Sequence, residues 1–148
     1  MKVEELIKTD KPIPLESRTI IHINLVSNKI NEVMNQAIKP YGISLQQFNV
    51  LRILRGQKGK PANLSTVNER MVTKMSNTTR LIDKLIIKGY VNRVVCPSNR
   101  RKIEITITPK GETDLIKIDK AIALAQEEIL QDLSKQDLEE LNQLLDKF

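Results

Sequence analysis

In Lys102-Ile103-Glu104-Ile105-Thr106-Ile107-Thr108, three isoleucines alternate with polar residues, the period of a half-buried strand. The preceding stretch, Tyr90 to Cys96, is rich in strand-forming residues. Between them lies Pro97-Ser98-Asn99-Arg100-Arg101, a turn-prone loop with two adjacent arginines. These segments predict one β-hairpin with a basic tip. On both sides of it, apolar residues recur at three- and four-residue spacing. The expected fold is therefore mainly α with a small hairpin.

Residues 15–39 read as one long helix through Ile20, Ile23, Ile30, Val33, Met34, Ala37 and Ile38. Ile21, Leu25 and Val26 widen its stripe beyond what one core needs, which hints at a second packing surface such as another subunit. Pro40-Tyr41-Gly42 ends it. A second helix begins at Ser44, which has capping-box spacing to Gln47, while Ile43 and Phe48 fit the hydrophobic staple. Its apolar face is Phe48, Leu51, Ile53 and Leu54. Asn63 is placed to cap a short helix running to about Met71, with Leu64, Val67 and Met71 inward. Ser76 is placed to cap another, running to Lys88 and closed by a left-handed Gly89. A short helix, a tight turn and a polar-headed second helix form a helix-turn-helix pattern. After the hairpin, Thr108-Pro109 opens a helix lined by Leu115, Ile118, Ile122, Ala125, Ile129 and Leu130. Ser134 and Asp137 open a last helix, whose face is Leu138, Leu141, Leu144, Leu145 and Phe148.

Composition narrows the function. The chain is 148 residues long, the length of one domain, with 40% hydrophobic and 28% charged residues, which rules out a disordered or collagen-like chain. One cysteine, Cys96, excludes an intrachain disulfide framework, and one histidine, His22, excludes a two-histidine metal motif within a subunit. No nucleophile–base or metal constellation is assembled, so an enzyme is not expected, nor a cofactor. The longest apolar run is five residues, Ala121 to Ala125, against roughly 20 for a membrane span. No secretory leader is read at the start, so a soluble, reduced, cytoplasmic protein is expected.

The charge is unevenly placed. Residues 41–111 hold fourteen Lys and Arg against three acids, net +11, whereas residues 112–148 are net −6. A basic block in an otherwise acidic chain points to a polyanion partner. The run Gly56-Gln57-Lys58-Gly59-Lys60-Pro61 evokes a phosphate loop but fails as one. Its glycines are too close, and Pro61 stands where a magnesium-binding Ser or Thr is needed.

Two stretches carry a family resemblance. Ser76-Asn77-Thr78-Thr79-Arg80-Leu81-Ile82-Asp83-Lys84-Leu85 with Lys88-Gly89 resembles the recognition helix of the MarR family of bacterial transcription regulators. Asn99-Arg100-Arg101 followed by Ile105-Thr106-Ile107-Thr108-Pro109-Lys110-Gly111 resembles the family's wing and the signature after it. The family usually has Asp where this chain has Asn99. Asn still accepts hydrogen bonds, so a retained wing with a more positive potential is expected.

The resemblance reaches from about residue 15 to the end. It implies a single MarR-like domain over 1–148, with a winged helix-turn-helix core at 44–108 and dimerisation helices at 15–39 and 109–148. It further implies a homodimer that binds double-stranded operator DNA as a repressor and is released by a small aromatic or other small-molecule effector. The effector pocket is expected near His22, Met34 and Phe48, although His22 can equally be a packed or solvent-facing residue.

The residue chemistry agrees with the implied site. The N-terminal residues of a helix in the major groove reach base edges, which suits Ser76, Asn77, Thr78, Thr79 and Arg80. Ser76 and Thr79 could instead serve as caps. Arg100 and Arg101, with Asn99 at the wing base, suit a minor groove. Lys74, Lys84, Lys88 and Arg93 are expected phosphate contacts, and Asp83 is expected to pair with Lys84, Arg80 or another basic residue. Cys96, in the strand leading to the wing, reads as a structural thiol. The second reading of the basic middle is a non-specific nucleic-acid-binding or chromatin-organising protein.

Overall fold

In the computed structural model, which describes residues 2–74 and 77–148, the chain is helical apart from one antiparallel hairpin. The order is α1 (Val3–Ile7), α2 (Leu15–Ile38), α3 (Leu45–Gly56), α4 (Leu64–Arg70), α5 (Thr78–Ile87), β1 (Val91–Cys96), β2 (Asn99–Ile107), α6 (Pro109–Leu130) and α7 (Lys135–Leu145). No helix among the described residues is long and apolar enough to cross a membrane. Two compact units result, one of residues 1–36 and 125–148, the other of residues 37–124.

The helix boundaries follow local chemistry. At α3, the Ser44 hydroxyl accepts from the Gln47 N–H, and the Gln47 side chain accepts from the Ser44 N–H. This reciprocal box satisfies two of the helix's orphan donors. Asn63 caps α4 by accepting the Thr66 N–H at 2.8 Å. Ser134 and Asp137 repeat the box at α7. Beyond α2, Pro40 lies in a 3₁₀ turn, Lys39–Tyr41, which Gly42 closes at φ +63°. Helix α1 is absent from the sequence reading. It is tied to α2 by the Arg18 guanidinium, which donates to both Glu4 carboxylate oxygens at 2.6 and 3.2 Å.

The larger unit has a continuous core. Phe48, Val50, Leu51 and Leu54 of α3 are buried, as are Val67, Ile82, Leu85, Val91, Ile105, Leu115 and Ile118. Leu64, expected inward, stays partly exposed, while Val67 and Met71 are buried as expected. The hairpin pairs Val91 with Ile107 through Val95 with Ile103, and a register shift follows at Val95/Cys96. Ala62, just before α4, exchanges two backbone hydrogen bonds with Ile105, at 2.9 and 2.7 Å. The helix-turn-helix and the wing are thereby bonded together.

The hairpin differs from expectation at its tip. Its turn is Pro97–Ser98 alone, and Asn99, Arg100 and Arg101 belong to β2 rather than to a loop.

The smaller unit covers little of its own apolar surface. On α2, Ile20, Ile23, Val26 and Ile30 are exposed, and on α7 so are Leu141, Leu144 and Leu145, with Phe148 following. Of the residues read as widening the α2 stripe, Val26 is exposed, whereas Ile21 and Leu25 are half-buried and the other exposed positions belong to the main stripe.

Candidate nucleic-acid interface

Helix α5 is held at both ends. At its C-terminus Gly89, at φ +75°, donates to the Ile86 carbonyl, and the Tyr90 N–H donates to the Leu85 carbonyl at 3.0 Å. This is a Schellman closure, which requires the left-handed conformation that glycine adopts without strain. Two side chains from the start of α6 reach the same end. The Thr108 hydroxyl donates to the Gly89 carbonyl at 2.6 Å and accepts the Gly111 N–H at 3.0 Å. The Lys110 ammonium donates to the Lys88 carbonyl at 2.9 Å. Thr108 is thus the expected cap of α6 and also a tie to α5.

Gly111 makes this junction possible. A Cβ there would stand 2.4 Å from the Tyr90 carbonyl oxygen and 2.9 Å from the Ile107 side chain. The Lys88 and Lys110 ammonium groups stand 5.8 and 5.4 Å from the Tyr90 ring centroid. Burial, reinforced by a hydrogen bond to Asp114, pushes the Tyr90 hydroxyl pKa up. Hydrogen bonds from Lys117 and then Tyr90 hold the Asp114 carboxyl below its ordinary value.

At the N-terminus of α5 the cap position is Asn77, whose side chain makes no capping bond. Ser76, expected as cap and as a base-reading residue, lies outside the described residues. Asn77, Thr79, Arg80 and Lys84 are exposed. Asn77, Arg80 and Lys84 share one helix face by their spacing. Thr79 stands at a small crevice with Ile82, Ile103 and Ile105, between α5 and the hairpin.

Several expected contacts are committed within the protein. Thr78 is 3% exposed, and its hydroxyl is hydrogen-bonded to the Asn68 side chain, so it positions α5 against α4 instead of presenting to DNA. The Lys74 ammonium donates to the Asn68 and Glu69 carbonyls at 3.2 and 2.8 Å, closing the end of α4. Arg93 pairs with Asp83 at 2.6 Å, joining β1 to α5. The partner of Asp83 is thus Arg93 rather than Lys84 or Arg80. Lys88 donates to the Tyr41 carbonyl at 3.3 Å. Such assignments are tertiary, and spacing along the chain carries no sign of them.

The wing keeps its arginines outward, with Arg100 and Arg101 both exposed. Asn99 accepts the Arg101 backbone N–H at 3.1 Å, so the amide fills an acceptor role at the turn. Among the described residues, Arg80, Lys84, Arg100 and Arg101 have no ion-pair partner. The Cys96 thiol lies 3.1 Å from the Ser98 hydroxyl, whose hydrogen bond lowers its pKa.

The residues expected at an effector pocket fall differently. His22 and Met34 are half-buried on α2. Phe48 is buried in the core of the larger unit, with Arg52 over its ring at 5.7 Å. It is a core side chain, as its staple position requires.

Residues 43–103 match the model of the MarR family. The chain is 29% identical over 90 residues to the multiple antibiotic resistance protein MarR of Escherichia coli, an alignment covering 60% of each chain. It is 27% identical over 137 residues to the HTH-type transcriptional regulator MhqR of Bacillus subtilis, covering 93% of this chain and 90% of that one. A crystal structure of a MarR-like transcription regulator from Bacillus cereus superposes with a TM-score of 0.80 at 27% identity, over 90% of this chain and 96% of that one.

Proposed function

We propose that this chain, whose residues 43–103 match the MarR family model, is a sequence-specific DNA-binding transcriptional regulator, a dimeric cytoplasmic repressor released by a small-molecule effector. The observation that carries the DNA reading is the exposed polar face of α5, Asn77, Arg80 and Lys84, combined with Arg100 and Arg101 on the wing of the same compact unit. A helix in the major groove reads base edges from its first turns, and arginine suits guanine O6 and N7. The wing arginines meet backbone or a narrow minor groove.

Dimerisation rests on the exposed stripes of α2 and α7. Leu141, Leu144 and Leu145 share one face of α7 by their spacing, Phe148 follows the helix, and all are exposed in one chain. A contiguous apolar stripe of this kind marks an association surface. The helices flanking the 44–108 core serve this role in the proposal, and a two-fold dimer reads two half-sites.

A competition experiment tests the reading. The full-length protein, bound to a labelled fragment from upstream of its own gene, is challenged with unlabelled fragment or random duplex. The fragment competing much better supports specific binding. Equal competition supports the non-specific nucleic-acid reading and overturns this one.

A further inference from the structure

A second basic site lies in the larger unit, on residues the DNA reading leaves unused. Arg52 and Arg55 of α3, Lys58 of the turn after it, and Arg70 at the end of α4 line one cavity of about 500 Å³. Asn49, Ile53, Gly56 and Val72 complete the lining, which contains no carboxylate. Arg55 is paired with Asp119. Among the described residues, Arg52, Lys58 and Arg70 have no ion-pair partner. Three uncompensated cations around one hollow repel each other, and an anion seated between them removes that repulsion.

Two of the four basic side chains are also held. Arg52 is stacked over Phe48 at 5.7 Å, and Asp119 fixes the Arg55 guanidinium while leaving donors unused. Lys58 has φ +53°, an uncommon conformation for lysine. The floor is apolar at Ile53, and nothing lies within 4 Å of the place a Cβ would take on Gly56.

We propose that this cavity binds a small ligand through a phosphoryl or similarly multiply charged oxyanion group. Guanidinium forks match such oxygens bidentately. The volume falls within the roughly 300–1,000 Å³ usual for small-molecule sites. A hollow with an apolar floor suits a small ligand better than a DNA backbone, which is met by protruding side chains.

The test uses the full-length protein and inorganic pyrophosphate at constant ionic strength, followed by calorimetry. Two variants are compared with wild type. Lys58→Gln/Arg70→Gln removes two exposed charges, and Gly56→Leu fills the hollow with no change of charge. Wild type is expected to bind saturably, and each variant to bind at least about tenfold more weakly, the weight of one charge-assisted hydrogen bond. Circular dichroism checks that both variants fold, and the pyrophosphate readout needs no DNA, so its result is independent of the regulatory function. Non-saturable binding, or binding that Gly56→Leu leaves intact, overturns the proposal. So does a Lys58→Gln/Arg70→Gln variant that binds pyrophosphate like wild type but loses DNA affinity with a shallower salt slope, which would make the cluster a backbone contact.

Discussion

Replacing Gly111 by alanine tests the junction between α5 and α6. The added methyl would stand 2.4 Å from the Tyr90 carbonyl oxygen, 3.1 Å from its carbon and 2.9 Å from Ile107 Cγ1. The first two obstacles are backbone, and the Tyr90 carbonyl already accepts the Thr108 N–H at 2.9 Å. Relief therefore requires moving α6 or the chain leaving α5. Overpacking of this kind costs about 1–3 kcal/mol, and a backbone obstacle places it near 3. Alanine's helix propensity returns up to about 1 kcal/mol, leaving a net loss of about 2 kcal/mol. For a chain of this size that lowers Tm by roughly 5–8 °C. Gly56→Ala is the control, since the same methyl at the end of α3 meets nothing within 4 Å. It should leave Tm unchanged or raise it by about 1–3 °C through helix propensity. Differential scanning calorimetry of both variants at matched concentration reads the contrast. A Gly111→Ala protein as stable as wild type would refute the steric argument.

Arg80→Ala should cost about 1–3 kcal/mol of binding and relax preference at a symmetric pair of positions. Arg101→Ala should weaken binding to all sequences and reduce the salt slope by about one, with the motif kept. Binding isotherms on the selected site and its single-base variants separate the two, and the reverse pattern would show that α5 is not the reader. Leu141→Glu/Leu145→Glu should give a monomer by sedimentation at micromolar concentration with DNA affinity lost, and a dimer persisting would remove α7 from the interface. Asp114 has a folded-state pKa below its unfolded one. Its contribution is therefore present above the usual carboxylate pKa of about 4 and lost as pH falls through the depressed value. Asp114→Asn should accordingly narrow the stability difference between pH 6 and pH 3 in denaturant titrations, and an unchanged difference would count against the Lys117 and Tyr90 contacts.

The features legible in the sequence are those whose physics is local. Ser44 with Gln47, and Ser134 with Asp137, satisfy helix termini across three residues, so spacing alone locates them. Gly89 closes α5 because only its neighbours decide the Schellman bonds. The alternation of Ile103, Ile105 and Ile107 gave β2, though not its start at Asn99, because a two-residue turn leaves no local mark within a polar run. Helix α1 spans only five residues, less than two turns, which is too short for periodicity to appear. The site divides the same way. Exposure of Arg80, Lys84, Arg100 and Arg101 follows from their place on amphipathic elements. Burial of Thr78 against Asn68 and the pairing of Arg93 with Asp83 are set between residues ten apart, across a turn and a helix end. Gly111 was legible as part of a motif, but its reason, the approach of the Tyr90 carbonyl, is tertiary.

In the proposed function this chain reads DNA sequence as a two-fold dimer. Selection of bound duplexes from a random library with the purified full-length protein tests it most directly. An enriched inverted repeat is expected, with half-site centres about one helical turn (roughly 10 base pairs) or a multiple apart. Recovery of sequences with no common motif after repeated rounds, from a protein that still binds duplex, would contradict it.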